Sequence, residues 1–164
     1  MKNRGFVSFG IVHETSKAMR IQTFFQNHRD EGLLVLRLGV GLTYFYVHGL
    51  PKLLGGPEQW ARVGASMQHL GIDFLPTFWG FMAAFAETFG GLCFALGLFF
   101  RPMTFLLAFT MLVATIRHLA TGDGLRGAAH AMKMFFVFTG FLFIEPGKYS
   151  LDAWLSQKSM KERT

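Results

Sequence analysis

The chain has 164 residues, of which 51% are hydrophobic and only 16% charged, with 20 Phe and 19 Gly. That is more apolar side chain than a soluble domain of this size can bury. Its formal charge of +6 would suit a nucleic-acid partner if it lay in one stripe, but the basic residues gather between and beyond apolar runs. This pattern excludes nucleic acid and reports membrane topology instead. A single cysteine, Cys93, excludes an internal disulfide, a Cys-x-x-Cys dithiol and a thiolate metal cluster.

Residues 1–32 carry Lys2, Arg4, Lys17, Arg20 and Arg29 without a sustained apolar core, so the first span is expected to act as its own insertion signal. Within this extension, residues 16–26 place Met19, Phe24 and Phe25 among Lys17 and Arg20, the pattern of an amphipathic segment on the inner leaflet. Apolar runs follow at residues 33–50, 77–100, 103–120 and 128–144. At a rise of about 1.5 Å per residue they measure roughly 26 to 36 Å, against a hydrocarbon core of about 30 Å. Lipid offers no partner to unpaired backbone groups and no strand alternation is visible. The expected fold is therefore an all-α membrane protein, a four-transmembrane-helix bundle with short interfacial helices. A cytoplasmic extension at 1–32, a membrane domain at 33–145 and a cytoplasmic tail at 146–164 complete the expected organisation.

Between the first two runs, Gly55-Gly56-Pro57 breaks the chain, and Trp60, Val63, Met67 and Leu70 then recur at helical spacing. A short helix lying in the outer interface as a lid is expected there. Arg101-Pro102 makes the next connection very short and predicts an antiparallel pair. The side holding both ends and Arg101 carries ten Lys and Arg, against Lys52, Arg62 and Arg126 on the other. The positive-inside rule then places both termini in the cytoplasm.

Ionisable side chains inside spans cost on the order of 3 kcal/mol each, so they face the bundle interior or mark function. Arg37, His48, Glu87, Arg117, His118, His130 and Lys133 all fall within the apolar runs. Counted from the cytoplasmic ends, His48, Glu87, Arg117, His118, His130 and Lys133 form one candidate polar layer at roughly 17 to 22 Å. Glu87 is its only acid, and it is expected to pair with Arg117 or Lys133 or to hold its proton. Such a pair serves equally as glue between helices or as the wall of a pocket. Arg37 lies only about 6 Å in. It is expected to snorkel to the inner headgroups or to meet Glu145 or Asp152. No metal-ligand spacing is present, and each histidine reads first as a hydrogen-bonded structural group.

The stretches Arg37-Leu38-Gly39-Val40-Gly41, His48-Gly49-Leu50-Pro51-Lys52-Leu53, Ala86-Glu87-Thr88-Phe89-Gly90-Gly91, Gly97-Leu98-Phe99-Phe100-Arg101-Pro102 and Pro146-Gly147-Lys148-Tyr149-Ser150-Leu151-Asp152 together resemble the DoxX family. The resemblance covers about residues 33–155 and implies small integral proteins of the bacterial plasma (inner) membrane with four helices. Its motif positions here are Arg37, His48, Lys52, Glu87, Arg101, Tyr149 and Asp152. It implies an accessory, more non-catalytic than catalytic, subunit of a quinone-linked oxidoreductase such as thiosulfate:quinone oxidoreductase, with quinone and a redox-enzyme subunit as partners beside the lipid bilayer. An alternative from another class is a small transporter or proton-conducting protein using the Glu and His layer. A haem-binding quinone reductase ranks behind both, because nothing beyond matched histidine depth asks for haem. The chain departs from the family where His130 and Lys133 stand near the start of the last span, a place where members often carry an acid.

Overall fold

Asp30 and Glu31 lie in the first turn of helix α1 (Arg29–Leu54), where carboxylates complement the exposed amide dipoles. The computed structural model describes residues 20, 23, 24 and 26–162, so most of the expected amphipathic segment at 16–26 lies outside the described residues. Helix α1 runs through a π-helical turn at Tyr44–Gly49 immediately before Pro51. The wider turn loosens the hydrogen-bond ladder where proline withholds a donor. The helix therefore reaches Leu54, a full turn beyond the apolar run that ends at residue 50.

Gly56, at a φ of 71°, and Pro57 start helix α2 (Gly56–Gly64), which tightens into a 3-10 segment at Ala65–Leu70 and ends at the left-handed Gly71. Helix α3 (Pro76–Leu96) also opens on proline and contains its own π turn at Ala86–Gly90. It closes at Gly97, φ 65°, where Leu98 N–H donates to the Cys93 carbonyl at 2.9 Å. Helix α4 (Phe100–Ala120) starts after the three residues 97–99, so the short connection expected at Arg101-Pro102 lies just before them and both residues belong to the first turn of α4, where proline withholds no needed donor. Helix α5 (Gly124–Leu142) returns along α4, and a short helix α6 (Leu151–Lys161) follows with Ser150 as its N-cap.

Among the described residues, α1, α3 and α4 are long and apolar enough to cross a membrane. Helix α5 has 19 residues, about 28 Å of length, but Arg126, His130 and Lys133 make its first half polar. Expected as the fourth crossing, it is the companion of α4 in the bundle. Inside, Tyr44, Phe94, Phe100, Leu107, Phe138 and Phe141 form the core, with Phe94 meeting Phe138 and Phe141 edge-on at 5.3 and 5.1 Å. Outside, Val35, Leu36, Phe105, Phe136 and Phe143 are exposed, the apolar exterior that suits lipid.

The face holding the end of α3 and the start of α4 is tied down by the C-terminal segment. No side chain near Phe99 caps α4 locally; instead the Asp152 carboxylate accepts from the Phe99 and Phe100 N–H groups, both at 2.9 Å. Lys148 N–H donates to Asp30 and its ammonium approaches Glu31 at 3.3 Å, while the Tyr149 hydroxyl donates to the same Glu31 oxygen at 3.0 Å. The Tyr149 hydroxyl and Glu31 hold the Lys148 ammonium above the usual lysine range.

Arg37 corrects the snorkelling expectation. Its side chain is wholly buried, and its Nη2 donates to the Tyr149 carbonyl at 2.9 Å, with Asp152 exerting an attraction nearby. A turn or more of helix separates Arg37 from Arg29, so the guanidinium lies too deep for its stem to reach past the C-terminal segment that covers it. Gly97 makes room for it: a Cβ there would strike Arg37 Nη1 and Ser150.

Candidate functional site

Helices α1 and α3 each carry a π turn with one ionisable residue of the expected layer, and the two turns pack against each other. A π turn inserts one extra residue per ring and so re-aims the side chains after it. His48 lies in the first and Glu87 in the second. Glycines allow the close approach: a Cβ on Gly41 would meet Gly91 O at 2.5 Å, and one on Gly49 would overlap the Glu87–Thr88 backbone.

Glu87 is 1% exposed and binds Lys52, whose Nζ donates to Oε1 at 2.7 Å and to Oε2 at 2.5 Å. The expected partners Arg117 and Lys133 are thus replaced by Lys52. Continuation of α1 to Leu54 explains the difference, because it extends the Arg37, Gly41, Tyr44, His48 stripe by one more helical step to Lys52. The Lys52 side chain is 28% exposed, so one member of the pair keeps contact with the surroundings. Trp60 fixes this end of α1 by donating its indole N–H to the Lys52 carbonyl at 2.9 Å.

Beside the pair is a cavity of about 190 Å³ walled by five elements. Lys52 comes from α1, Val63 and Gly64 from α2, Ser66 and Met67 from the 3-10 segment, Trp79, Ala83 and Glu87 from α3, and Phe109, Thr110, Val113, Ala114, Arg117 and His118 from α4. The lid is held by backbone contact: a Cβ on Gly64 would collide with Pro76 O, and one on Gly80 with Trp60 O. Trp79 Nε1 is buried without a hydrogen-bond partner among the described residues. The wall is apolar over much of its area, with one ion pair and the Arg117 and His118 side chains.

His118 Nδ1 contacts Asp123 at 2.7 Å. That contact, with a second from Thr121, holds the Asp123 carboxyl below the usual carboxylate range. His48 and His130 stack on each other with ring centroids 5.3 Å apart, and Tyr44 lies 5.1 Å from the former. The Tyr44 hydroxyl donates to Met111 Sδ at 3.1 Å rather than to either imidazole. Stacked in this way, the two rings do not flank a gap that a porphyrin would fill. Lys133 is exposed on the outer surface of α5.

The proposed layer thus resolves into separate groups. Lys52, Glu87, Arg117 and His118 meet at the cavity, His48 and His130 stack beside Tyr44, and Lys133 joins neither. Arg37, Tyr149 and Asp152 belong to the opposite face, where Arg101 also stands. Val63 and Met67, expected on the lid, do line the cavity, whereas Trp79 carries no signal in the sequence that would single it out. The four-residue step from His48 to Lys52 was a readable signal for the Glu87 partner.

A family profile described as DoxX matches residues 32–122. The match spans α1 to α4 and contains every residue that lines the cavity, while α5 and the Tyr149 to Asp152 turn lie beyond it. No curated protein and no solved structure matches the chain. With more than half of its 164 residues under the profile, the chain belongs to the DoxX family of small integral membrane proteins.

Proposed function

We propose that this protein is an accessory subunit of a quinone-linked membrane oxidoreductase, and that its lidded cavity takes a quinone headgroup from the bilayer. The observation that carries the reading is the buried Lys52–Glu87 pair set into an otherwise largely apolar cavity within the family-matched region. Such a combination, an apolar wall with a few fixed polar groups, is the general form of a small-molecule site. The residues fit a flat ring bearing carbonyl acceptors: Lys52 and Arg117 are cationic donors, and Trp79, Met67, Phe109 and Val113 supply apolar faces. A bound quinone would supply the electron-accepting chemistry; the chain would bind and orient it.

In this reading α5 is the fourth crossing, α2 lies in the outer interface, and both termini face the cytoplasm of a bacterial plasma membrane. Purification in a mild detergent is expected to recover a redox-enzyme partner with the wild-type chain. Recovery as a lone species under gentle conditions would overturn the subunit assignment. The His48–His130 stack favours a second reading, a proton-conducting protein using histidines and Glu87. Proton flux into proteoliposomes that Glu87→Gln abolishes would select it over the first.

A further inference from the structure

A second cavity, of about 670 Å³, opens on the opposite face between the start of α1, the α3–α4 turn and the segment before α6. Its lining carries as many carboxylates, Asp30, Glu145 and Asp152, as cations, Arg29, Arg101 and Lys148, but these groups are unequally engaged. Both Asp152 oxygens accept from the Phe99 and Phe100 N–H groups, and Asp30 accepts from Lys148 N–H and lies 3.9 Å from its ammonium. Lys148 is further engaged by Glu31. That leaves Arg29 and Arg101, neither with an ion pair or hydrogen bond among the described residues, against the lone carboxylate of Glu145. The groove therefore presents two guanidinium groups, the side chain best matched to phosphate oxygens.

Its depth identifies the source of the phosphate. Arg29 begins α1 and Arg101 lies in the first turn of α4, and both helices are long and apolar enough to cross a bilayer. Their first residues consequently lie at headgroup level. Phe99, 63% exposed, lines the same groove and offers an apolar surface for an acyl chain. We infer that Arg29 and Arg101 form a binding site for the phosphate headgroup of an anionic membrane lipid, separate from the Lys52–Glu87 cavity.

Native mass spectrometry of the full chain in detergent, titrated with phosphatidylglycerol or phosphatidylcholine, tests this. Preference for phosphatidylglycerol is expected, weakening with added salt, and Arg29→Gln/Arg101→Gln should lower that affinity on the order of tenfold. Arg126→Gln, on the other face, should leave it unchanged. Equal binding of both lipids, or an unchanged affinity in the double variant, would overturn the site. Displacement of the lipid by millimolar inorganic phosphate would overturn the lipid assignment in favour of a free phosphate ligand. The salt series on the wild-type chain needs no variant to fold, and a salt-independent affinity would also count against the proposal.

Discussion

Lys52→Met is expected to destabilise the protein by about 3 to 5 kcal/mol, the range for breaking a buried ion pair from one side. Glu87, 1% exposed, would be left without its cation in a site with little else to solvate it. Glu87→Gln should cost much less, about 1 kcal/mol, because the amide oxygen still accepts from Lys52 and that side chain, 28% exposed, can turn its ammonium outward. Replacing both at once, as Lys52→Met/Glu87→Leu, should recover most of the loss. Arg117 lines the same cavity and is the one substitute cation within it, so Lys52→Met/Arg117→Gln should be worse than either alone. Unfolding in detergent, followed by circular dichroism, separates these cases. Equal losses in Lys52→Met and Glu87→Gln would show that burial of the acid does not set the energetics.

Arg37→Ala is the second large effect, expected at about 2 to 4 kcal/mol from a lost charge-assisted hydrogen bond and the space left by the side chain. Its consequence is local as well as global. Arg37 Nη2 holds the Tyr149 carbonyl, and the adjoining Asp152 caps α4, so the variant should loosen the segment before α6. Limited proteolysis should then cut between residues 145 and 151 before the rest of the bundle unfolds. Arg37→Met, which preserves volume, should lose less stability yet show the same cleavage. Resistance of both variants to cleavage would mean that Asp152 and the Lys148–Glu31 contact hold the segment without Arg37.

The unequal visibility of these features in the sequence has physical causes. Apolar runs of bilayer length are written directly in composition, so α1, α3, α4 and the shortness of the connection between the last two can be read in order, although the turn itself falls at residues 97–99 rather than at Arg101-Pro102. Glu87 stood out because an acid amid Phe, Ala and Gly is expensive wherever it lies. Its partner did not, because the span was taken to end with its apolar residues, whereas backbone hydrogen bonding carries the helix past Pro51 to Leu54. Helical spacing alone gives no warning of π turns at Tyr44–Gly49 and Ala86–Gly90, yet they set where His48 and Glu87 point. Depth along a span was equally insufficient: Lys133 shares the level of Glu87 but is exposed on the outer surface of α5. The link from Asp152 to the N–H groups of Phe99 and Phe100 joins segments more than fifty residues apart, a relation no local motif encodes.

The proposed binding of quinone beneath α2 is tested most directly by tryptophan emission during titration with a short-chain quinone, since Trp79 lines the cavity. Saturable quenching in the wild-type chain, lost in Trp79→Phe and weakened at least tenfold in Lys52→Met/Glu87→Leu, is the expected result. Linear, non-saturating quenching of the same slope in all of these proteins would contradict quinone binding at the Lys52–Glu87 cavity.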